Sequence, residues 1–264
     1  MPEVTEPYAP GAPCWIDLVV PDQQAALDFY RELFGWQGEI GPPETGGYSV
    51  CTLNGRPVAG IMTATPSGPG VPDPPPAWTV YLATDDADAA EKAITGAGGS
   101  ILMPAMDVMD LGRMAVAADP TGAVFGFWQA RAFHGAGIAG EPGSVVWHEL
   151  DTTDTAAAAA FYAAALSLEA APMEGAEGYC SLNAGGRVVG GMGDLDRPDT
   201  PSHWLVYFAT DDPDATVEKL ARLGGEVVEA PFDMVAGRMA VVRDPQGAKF
   251  ALLDPVPMNP ETSP

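Results

Sequence analysis

Four reactive side chains in the second half of this sequence share one predicted site, where the carboxyl group could move a proton together with the imidazole or the phenol. They are a carboxyl group, an imidazole, a phenol and an amine, at Glu149, His203, Tyr207 and Lys249. Glu149 lies two residues after Trp147, and a carboxyl beside aromatic walls tends to have a raised pKa, which suits general acid–base chemistry. The first half of the chain repeats part of this set, with Asp17 and Tyr81 in place of Glu149 and Tyr207.

The elements that must position these side chains are duplicated. The stretch WTVYLATDD at Trp78–Asp86 recurs as WLVYFATDD at Trp204–Asp212, 126 residues later. GRMAVAADPTGAVF at Gly112–Phe125 is answered by GRMAVVRDPQGAKF at Gly237–Phe250. A period this long indicates duplicated domains rather than a solenoid. The chain is a tandem duplication of domains of about 120 residues, a size that can bury its own core.

Each domain is itself predicted to hold two strand–helix–three-strand units. In the first unit Cys14–Val20 is an apolar strand, and Asp22 is a typical N-cap for a helix that ends at Gly35. Short β-type stretches separated by Gly and Pro follow, at Trp36–Ile40, Tyr48–Leu53 and Pro57–Thr63. The fold class is therefore α+β. Four βαβββ units form two cupped, eight-stranded mixed sheets with helices outside.

The same pattern predicts the domain boundaries. We expect flexible tails at 1–12 and 255–264 and a linker at 131–143 between domains 13–130 and 144–254. The units run over 13–65, 77–130, 144–194 and 203–254, with Pro-rich connectors between the units of each domain.

Composition limits the partners. The formal charge is −24 with only 12 basic residues, which argues against nucleic acid and against anionic membranes. No run of about 20 apolar residues is present, and the N-terminus lacks the features of a secretory signal, so we expect a cytoplasmic protein. We expect a monomer or a homodimer.

Three features resemble the vicinal oxygen chelate superfamily, which includes glyoxalase I, bleomycin-resistance proteins and extradiol dioxygenases. They are Phe-Tyr after a capped first strand, Gly-Gly at the end of the second helix, and DPxGAxF before the last strand. Within it, the chain looks most like two-domain actinobacterial members labelled as glyoxalase-family or hydroxylase-like proteins, a group that includes a mycobacterial 27-kDa antigen. The resemblance covers about residues 12–254 and specifies the fold better than the reaction.

The resemblance also implies where a metal would bind, on the first and last strands of each half-cup. Counting from the motifs gives eight positions, namely Trp15, Gly60, Thr79, Gly126, Trp147, Gly191, Leu205 and Ala251. None is a His, Cys, Asp or Glu, the donors that protein metal sites use. We therefore expect neither the usual metal site nor another cofactor.

Alternation along each strand then predicts what lines the two cups. Besides the candidate catalytic residues Glu149, His203 and Tyr207, the expected ligand-binding residues are Trp15, Asp17, Met62, Thr79, Tyr81, Trp128, Trp147 and Lys249. Trp78 and Trp204 should face the helices instead, as should His148.

Two functions stay open at this point. One is a protein that binds an apolar, aromatic small molecule in a Trp-lined cup, in the manner of the bleomycin-resistance members. The other is a metal-independent lyase, isomerase or hydroxylase-like enzyme of secondary metabolism, in which Glu149 acts with His203 or Tyr207. A first cup filled by its own aromatic side chains is a further alternative.

Overall fold

The computed structural model describes residues 7–65, 75–173, 176, 178–195 and 200–256. The expected tails and connectors at 1–6, 66–74, 196–199 and 257–264 lie outside these residues. The strands in chain order are β1 Pro13–Val20, β2 Ser49–Leu53, β3 Arg56–Thr63, β4 Ala77–Ala83, β5 Ser100–Val108, β6 Gly112–Ala118, β7 Val124–Ala130, β8 Val145–Thr152, β9 Glu169–Pro172, β10 Tyr179–Ala184, β11 Arg187–Asp194, β12 His203–Ala209, β13 Glu226–Met234, β14 Gly237–Arg243 and β15 Lys249–Pro255. The helices are α1 Gln23–Phe34, α2 Ala87–Gly96, α3 Thr155–Leu166 and α4 Pro213–Arg222.

Each unit has one helix, and each helix begins in the same way. An aspartate in extended conformation precedes the helix, and its carboxylate accepts a hydrogen bond from the backbone N–H three residues later. The four caps are Asp22, Asp86, Asp154 and Asp212. α1 ends at Gly35, whose φ of 79° is the left-handed conformation that glycine adopts readily. The predicted first helix is thus confirmed at both ends.

Two mixed sheets follow from these units, as predicted. The first has the order β2-β3-β1-β4-β7-β6-β5, and the second has the order β13-β14-β15-β12-β8-β11-β10-β9. Within each sheet the two units meet through an antiparallel pair, β1 with β4 and β8 with β12. Each cup is therefore built from two consecutive units of its own domain. The α+β class is confirmed.

The first sheet has seven strands in the described residues rather than eight. The expected strand at Trp36–Ile40 is reduced to one bridge between Gln37 and Thr52. Trp36 is instead turned into the core, where it stacks on Tyr30 and donates a hydrogen bond to the Gly143 carbonyl at 2.7 Å. The corresponding stretch of the second domain forms β9, paired with β10.

The two domains share one continuous hydrophobic core. Trp78, Val80 and Leu82 of β4 and Trp204, Val206 and Phe208 of β12 all lie in it, which confirms the predicted strand parity. Aromatic rings cross the domain boundary, with Phe34 5.1 Å from Phe208 and Phe125 5.4 Å from Tyr162. We call the opposite face of each sheet, turned away from this core, the first or the second cup.

None of the helices in the described part of the chain is long and apolar enough to cross a membrane.

Candidate functional site

The second cup centres on Glu149, in the middle of β8. Tyr179 of β10 donates a hydrogen bond from its hydroxyl to Glu149 Oε2 at 2.7 Å and accepts one from Trp147 Nε1 at 3.1 Å. Tyr207 of β12 lies beside the same carboxylate and lowers the pKa of Glu149. Tyr179, itself held by the Trp147 indole, thus fixes the carboxylate in the cup.

Asp151 adds a second carboxyl beside the first. Because side chains alternate along a strand, Glu149 and Asp151 of β8 point to the same face, and the charge of Asp151 acts on the Glu149 carboxyl. Burial raises the pKa of Glu149 above its usual range, and the neighbouring charge of Asp151 raises it further, while the two tyrosines lower it. Two adjacent carboxyls disfavour double ionisation, so one of this pair holds a proton more readily than an isolated carboxyl would.

His203 and Lys249 extend the cluster. His203 Nδ1 lies 3.0 Å from the Pro201 carbonyl oxygen, which can only accept, so the neutral ring carries its proton on Nδ1. Lys249 Nζ then donates to His203 Nε2 at 3.1 Å, and Asp151 Oδ2 lies 3.4 Å from the same nitrogen. Burial and the charge of Lys249 lower the pKa of His203. The structure brings together all four reactive residues predicted from the sequence.

An apolar wall adjoins these polar groups. It is formed by Leu205, Tyr207, Met239, Val241, Ala251 and Leu253, with Trp147 and Val228 packed against them. A cavity of about 600 Å³ lies nearby and shares Tyr179 with the cup; its lining also includes Thr155, Met173 and Cys180. Glu149, Asp151, His203 and Lys249 do not line this cavity.

The first cup has the same frame. Trp15 Nε1 donates to the Tyr48 hydroxyl at 2.8 Å, and Tyr81 lies close enough to Asp17 to lower its pKa. Burial raises the pKa of Asp17 to about 7. Trp15, Tyr48, Asp17 and Tyr81 thus correspond to Trp147, Tyr179, Glu149 and Tyr207.

Other parts of the chain cover the first cup. Phe133 of the linker packs against Trp15 and accepts a hydrogen bond from Trp128 Nε1 at its carbonyl oxygen. Tyr8, in the stretch predicted as a loose tail, donates to the Ala136 carbonyl and packs against the same cluster. The alternative of a cup filled by the chain's own aromatic residues therefore describes the first cup.

The remaining predicted ligand-binding residues lie on the central strands of the first sheet. Thr79 of β4 is opposite Asp17, and Met62 of β3 is beside Val19; both side chains are half-buried. His148 belongs to the other face of β8, as its parity predicts. Burial lowers the pKa of His148 to about 4, and its ring is hydrogen-bonded to the Val189 backbone.

The arginines of the repeated GRMAV motif fix hairpins. Arg113 binds Asp88 of α2 and Asp107 of β5, and Arg238 binds Asp214 of α4 and Asp233 of β13. Each therefore ties a β-hairpin to the first turn of a helix.

Sequence reasoning missed Tyr48 and Tyr179. Each tyrosine directly follows a glycine and stands just before or at the start of a strand, and Leu-Asn follows a few residues later. This repeated pattern identifies the two tyrosines as equivalent positions of the duplicated domains. Strand alternation places Asp151 on the inward face, but its position close to the strand end leaves its role open from the sequence alone. Phe133 was assigned only to a linker.

The tyrosines also bear on the metal implied by the resemblance. A Cβ built on Gly60 would lie 1.7 Å from the Tyr48 hydroxyl oxygen, and one on Gly191 would lie 1.8 Å from that of Tyr179. The tyrosines thus fill the space that a metal-binding side chain at these positions would need. Apart from the Thr79 hydroxyl, the eight positions offer no donor, so they do not fit the metal centre. Over the described residues, no group of three or more His, Cys, Asp or Glu side chains is arranged to hold a metal.

Comparison with known proteins agrees with this frame. Residues 14–127 match the family model described as "Glyoxalase/Bleomycin resistance protein/Dioxygenase superfamily", and residues 147–253 match the "Glyoxalase-like domain". The chain is 46% identical to "Putative glyoxylase CFP32" of Mycobacterium tuberculosis over 97% of this chain and 99% of that protein. This chain belongs to the glyoxalase/bleomycin resistance protein/dioxygenase superfamily. It is also 43% identical to "Anthracycline biosynthesis protein DnrV" of Streptomyces peucetius, over 94% of each chain.

Solved structures share the fold at low identity. The Mn(II)-bound glyoxalase from Novosphingobium aromaticivorans has a TM-score of 0.63 at 16% identity, covering 94% of this chain and 84% of that one. The 2,3-dioxygenase LapB from Pseudomonas sp. KL28 has a TM-score of 0.62 at 14% identity, with 97% of each chain covered. At these identities the likeness concerns the fold alone.

Proposed function

We propose that the second cup binds an aromatic small molecule bearing a carbonyl group and transfers a proton on it, with Glu149 as the acid–base residue. The observation that carries this proposal is the pair of adjacent carboxyls, Glu149 and Asp151, in a cup that stays partly open to solvent. The Asp151 and His203 side chains are 21% and 25% exposed. Perturbed titratable groups in a concave, partly apolar site are typical of active sites.

The ligand class follows from the walls and the charge. Trp147 offers a flat apolar face, and Leu205 and Leu253 add further apolar contacts. The net charge of −24 favours an uncharged or cationic molecule over an anion. The relatives named for anthracycline biosynthesis support a fused-ring aromatic ligand.

Proton transfer would use the chain's own side chains. The Glu149 carboxylate takes a proton from a carbon next to the ligand's carbonyl. The C–H bond breaks, its electron pair forms the C=C bond of an enolate, and the π pair of the carbonyl moves onto its oxygen. The positive charge of Lys249 favours that oxyanion. Glu149 then returns the proton to carbon, at the same or another position, and the carboxyl pair is restored.

The test is solvent deuterium exchange. An anthracycline aglycone with an enolisable ketone is incubated with the protein in D₂O, and deuterium incorporation is followed by NMR. We expect exchange at least ten-fold faster than in buffer. Glu149→Gln should lower the exchange rate at least 100-fold, the scale of general acid–base catalysis, while binding measured by tryptophan fluorescence changes little. Glu169→Gln, on exposed β9, is the matched control.

Two outcomes would contradict the proposal. Undiminished exchange in Glu149→Gln would remove this residue from the chemistry. Binding weaker than about 1 mM, or ~4 kcal/mol, would remove this ligand class. Tight binding without exchange would favour the second candidate, a protein that sequesters its ligand, which the apolar wall of the second cup also supports.

A further inference from the structure

The first cup already holds an aromatic ring, and that ring belongs to the protein. The Phe133 ring meets the Trp15 indole edge-on at 4.9 Å between centroids and lies 6.2 Å from the Trp128 ring. Val108 and Met114 of the β5–β6 hairpin pack against the same cluster. The linker thus folds back so that one phenyl group occupies the cup as an aromatic ligand would.

The sequence duplication identifies which residues of the second cup correspond to those around Phe133 in the first cup. Trp15 corresponds to Trp147, and Met114 corresponds to Met239. Strand registers relate Val108 to Met234, because each is paired with the glycine that begins the next strand. Counting from the repeated DPxG motif relates Trp128 to Leu253.

The second set is more open than the first at two of its four members, whereas Met239 and Leu253 stay buried at 5% and 6% exposure. Trp15 is 7% exposed, whereas Trp147 is only half-buried and makes no ring–ring contact with another described residue. Met234 is 44% exposed, and Phe232, paired with Met239 across the β13–β14 hairpin, is 40% exposed. These apolar side chains border the cup and lie on its side of the hairpin.

We propose that the second cup has an aromatic subsite where a ligand ring sits between Trp147 and Leu253, in the position that Phe133 takes in the first cup. This inference rests on the proposed ligand-binding role of the second cup. Trp147 Nε1 is already bonded to Tyr179, so the indole offers its ring rather than its N–H. Met239 adds a thioether, which makes favourable contacts with aromatic rings.

The first cup has Trp128 where the second has Leu253, and this difference sets the size of the ligand. An isobutyl group is much smaller than an indole, so the subsite accommodates a fused system wider than one phenyl ring. Rings beyond the first extend toward Met234 and Phe232 on the hairpin. The Trp147–Tyr179–Glu149 hydrogen-bond chain then joins the ring subsite to the acid–base pair.

The experiment uses the full chain with ¹³C-methyl-labelled methionines and two probes, 2-naphthol and phenol. We expect 2-naphthol to bind more tightly than phenol and to shift the methyl signals of Met234 and Met239 upfield by its ring current. The signal of Met114 should stay in place. Leu253→Trp, which restores the residue type of the first cup, should weaken 2-naphthol binding at least ten-fold.

Phe133→Ala is the positive control, because it should open the first cup and let 2-naphthol shift Met114. Unshifted Met234 and Met239 signals at millimolar 2-naphthol in the wild-type chain would overturn the subsite, whatever the variants do. So would a ten-fold gain in affinity on deletion of residues 257–264, since the occupant would then be the chain itself.

The experiments can refute the aromatic subsite and the proton-transfer function independently of each other. Methionine shifts without deuterium exchange would leave the subsite standing and refute the transfer step. If Leu253→Trp binds the aglycone with unchanged affinity and catalyses its deuterium exchange at an unchanged rate, the subsite is refuted and the transfer step stands.

Discussion

The two cups share one frame and differ in what surrounds it. Both have a tryptophan that donates to a tyrosine, and an acid beside a tyrosine of the neighbouring strand. The second cup adds three polar groups, Asp151, His203 and Lys249, where the first has Val19, Ala77 and Val124. The first cup adds Phe133 and Tyr8 instead. The frame can thus serve as packing when covered and as a titratable cluster when open.

This difference is instructive about buried acids. Asp17 and Glu149 both have raised pKa values because burial disfavours the charged carboxylate. A raised pKa is therefore no sufficient sign of function within this molecule. The sign is the second carboxyl and the solvent access that accompany Glu149.

The largest expected effect is a difference in deuterium-exchange rate between variants of the two cups. Glu149→Gln should lower deuterium exchange at least 100-fold, and Asp17→Asn should change it less than two-fold, because the first cup is closed to ligand. Equal losses in both variants would show that the cups are coupled or that both are active. Exchange rates on the same aglycone provide the measurement.

Asp17 should contribute to the pH dependence of the free energy of unfolding. Its folded pKa, about 7, exceeds that of an unfolded aspartate, so the folded state binds more protons over this interval. The free energy of unfolding should therefore fall as pH rises from about 4 to 7, by about 1.4 kcal/mol for each unit of difference in pKa.

Asp17→Asn should flatten that slope, which urea unfolding at a series of pH values measures. An unchanged slope in the variant would assign the effect to another group. Glu149→Gln is the parallel variant for the second cup.

Phe133→Ala should cost about 2 kcal/mol of stability, since it removes a half-buried ring from Trp15 and Trp128. Phe232→Ala, at an exposed position of the β13–β14 hairpin, should cost less than about 0.5 kcal/mol. Comparable losses in the two variants would argue against Phe133 as the filling of the first cup. Urea midpoints at one pH suffice.

The smallest effect concerns Tyr179, whose hydrogen bond lowers the pKa of Glu149. Tyr179→Phe should raise that pKa, moving the rising limb of the exchange rate upward by roughly one pH unit or less, the worth of about one hydrogen bond. Tyr48→Phe makes the same change in the first cup and should leave the pH profile in place. A downward shift would mean that Tyr179 does not donate to the carboxylate.

Much of this arrangement could be predicted from the sequence, because duplication and strand alternation are local patterns. They placed Trp78 and Trp204 in the core and brought Glu149, His203, Tyr207 and Lys249 together. The repeated Tyr48 and Tyr179 carried the same kind of signal and were overlooked.

The rest depended on the path of the chain in three dimensions. No periodicity indicates that Phe133 of a linker returns to the cup, or that Trp36 leaves the sheet edge to stack on Tyr30. Such contacts follow from which surfaces remain uncovered after the strands have paired, and that is known only once the fold is assembled.

The continuous core between the sheets has a consequence for how the molecule comes apart. Tyr30 donates to Asp244, and Gln246 exchanges two hydrogen bonds with the backbone of Asp22, so α1 is held by the other domain. A half-chain would expose Phe208 and Phe250, which pack against Phe34, to water. The two halves should therefore melt in a single cooperative transition, and neither cup can loosen fully while the other stays folded.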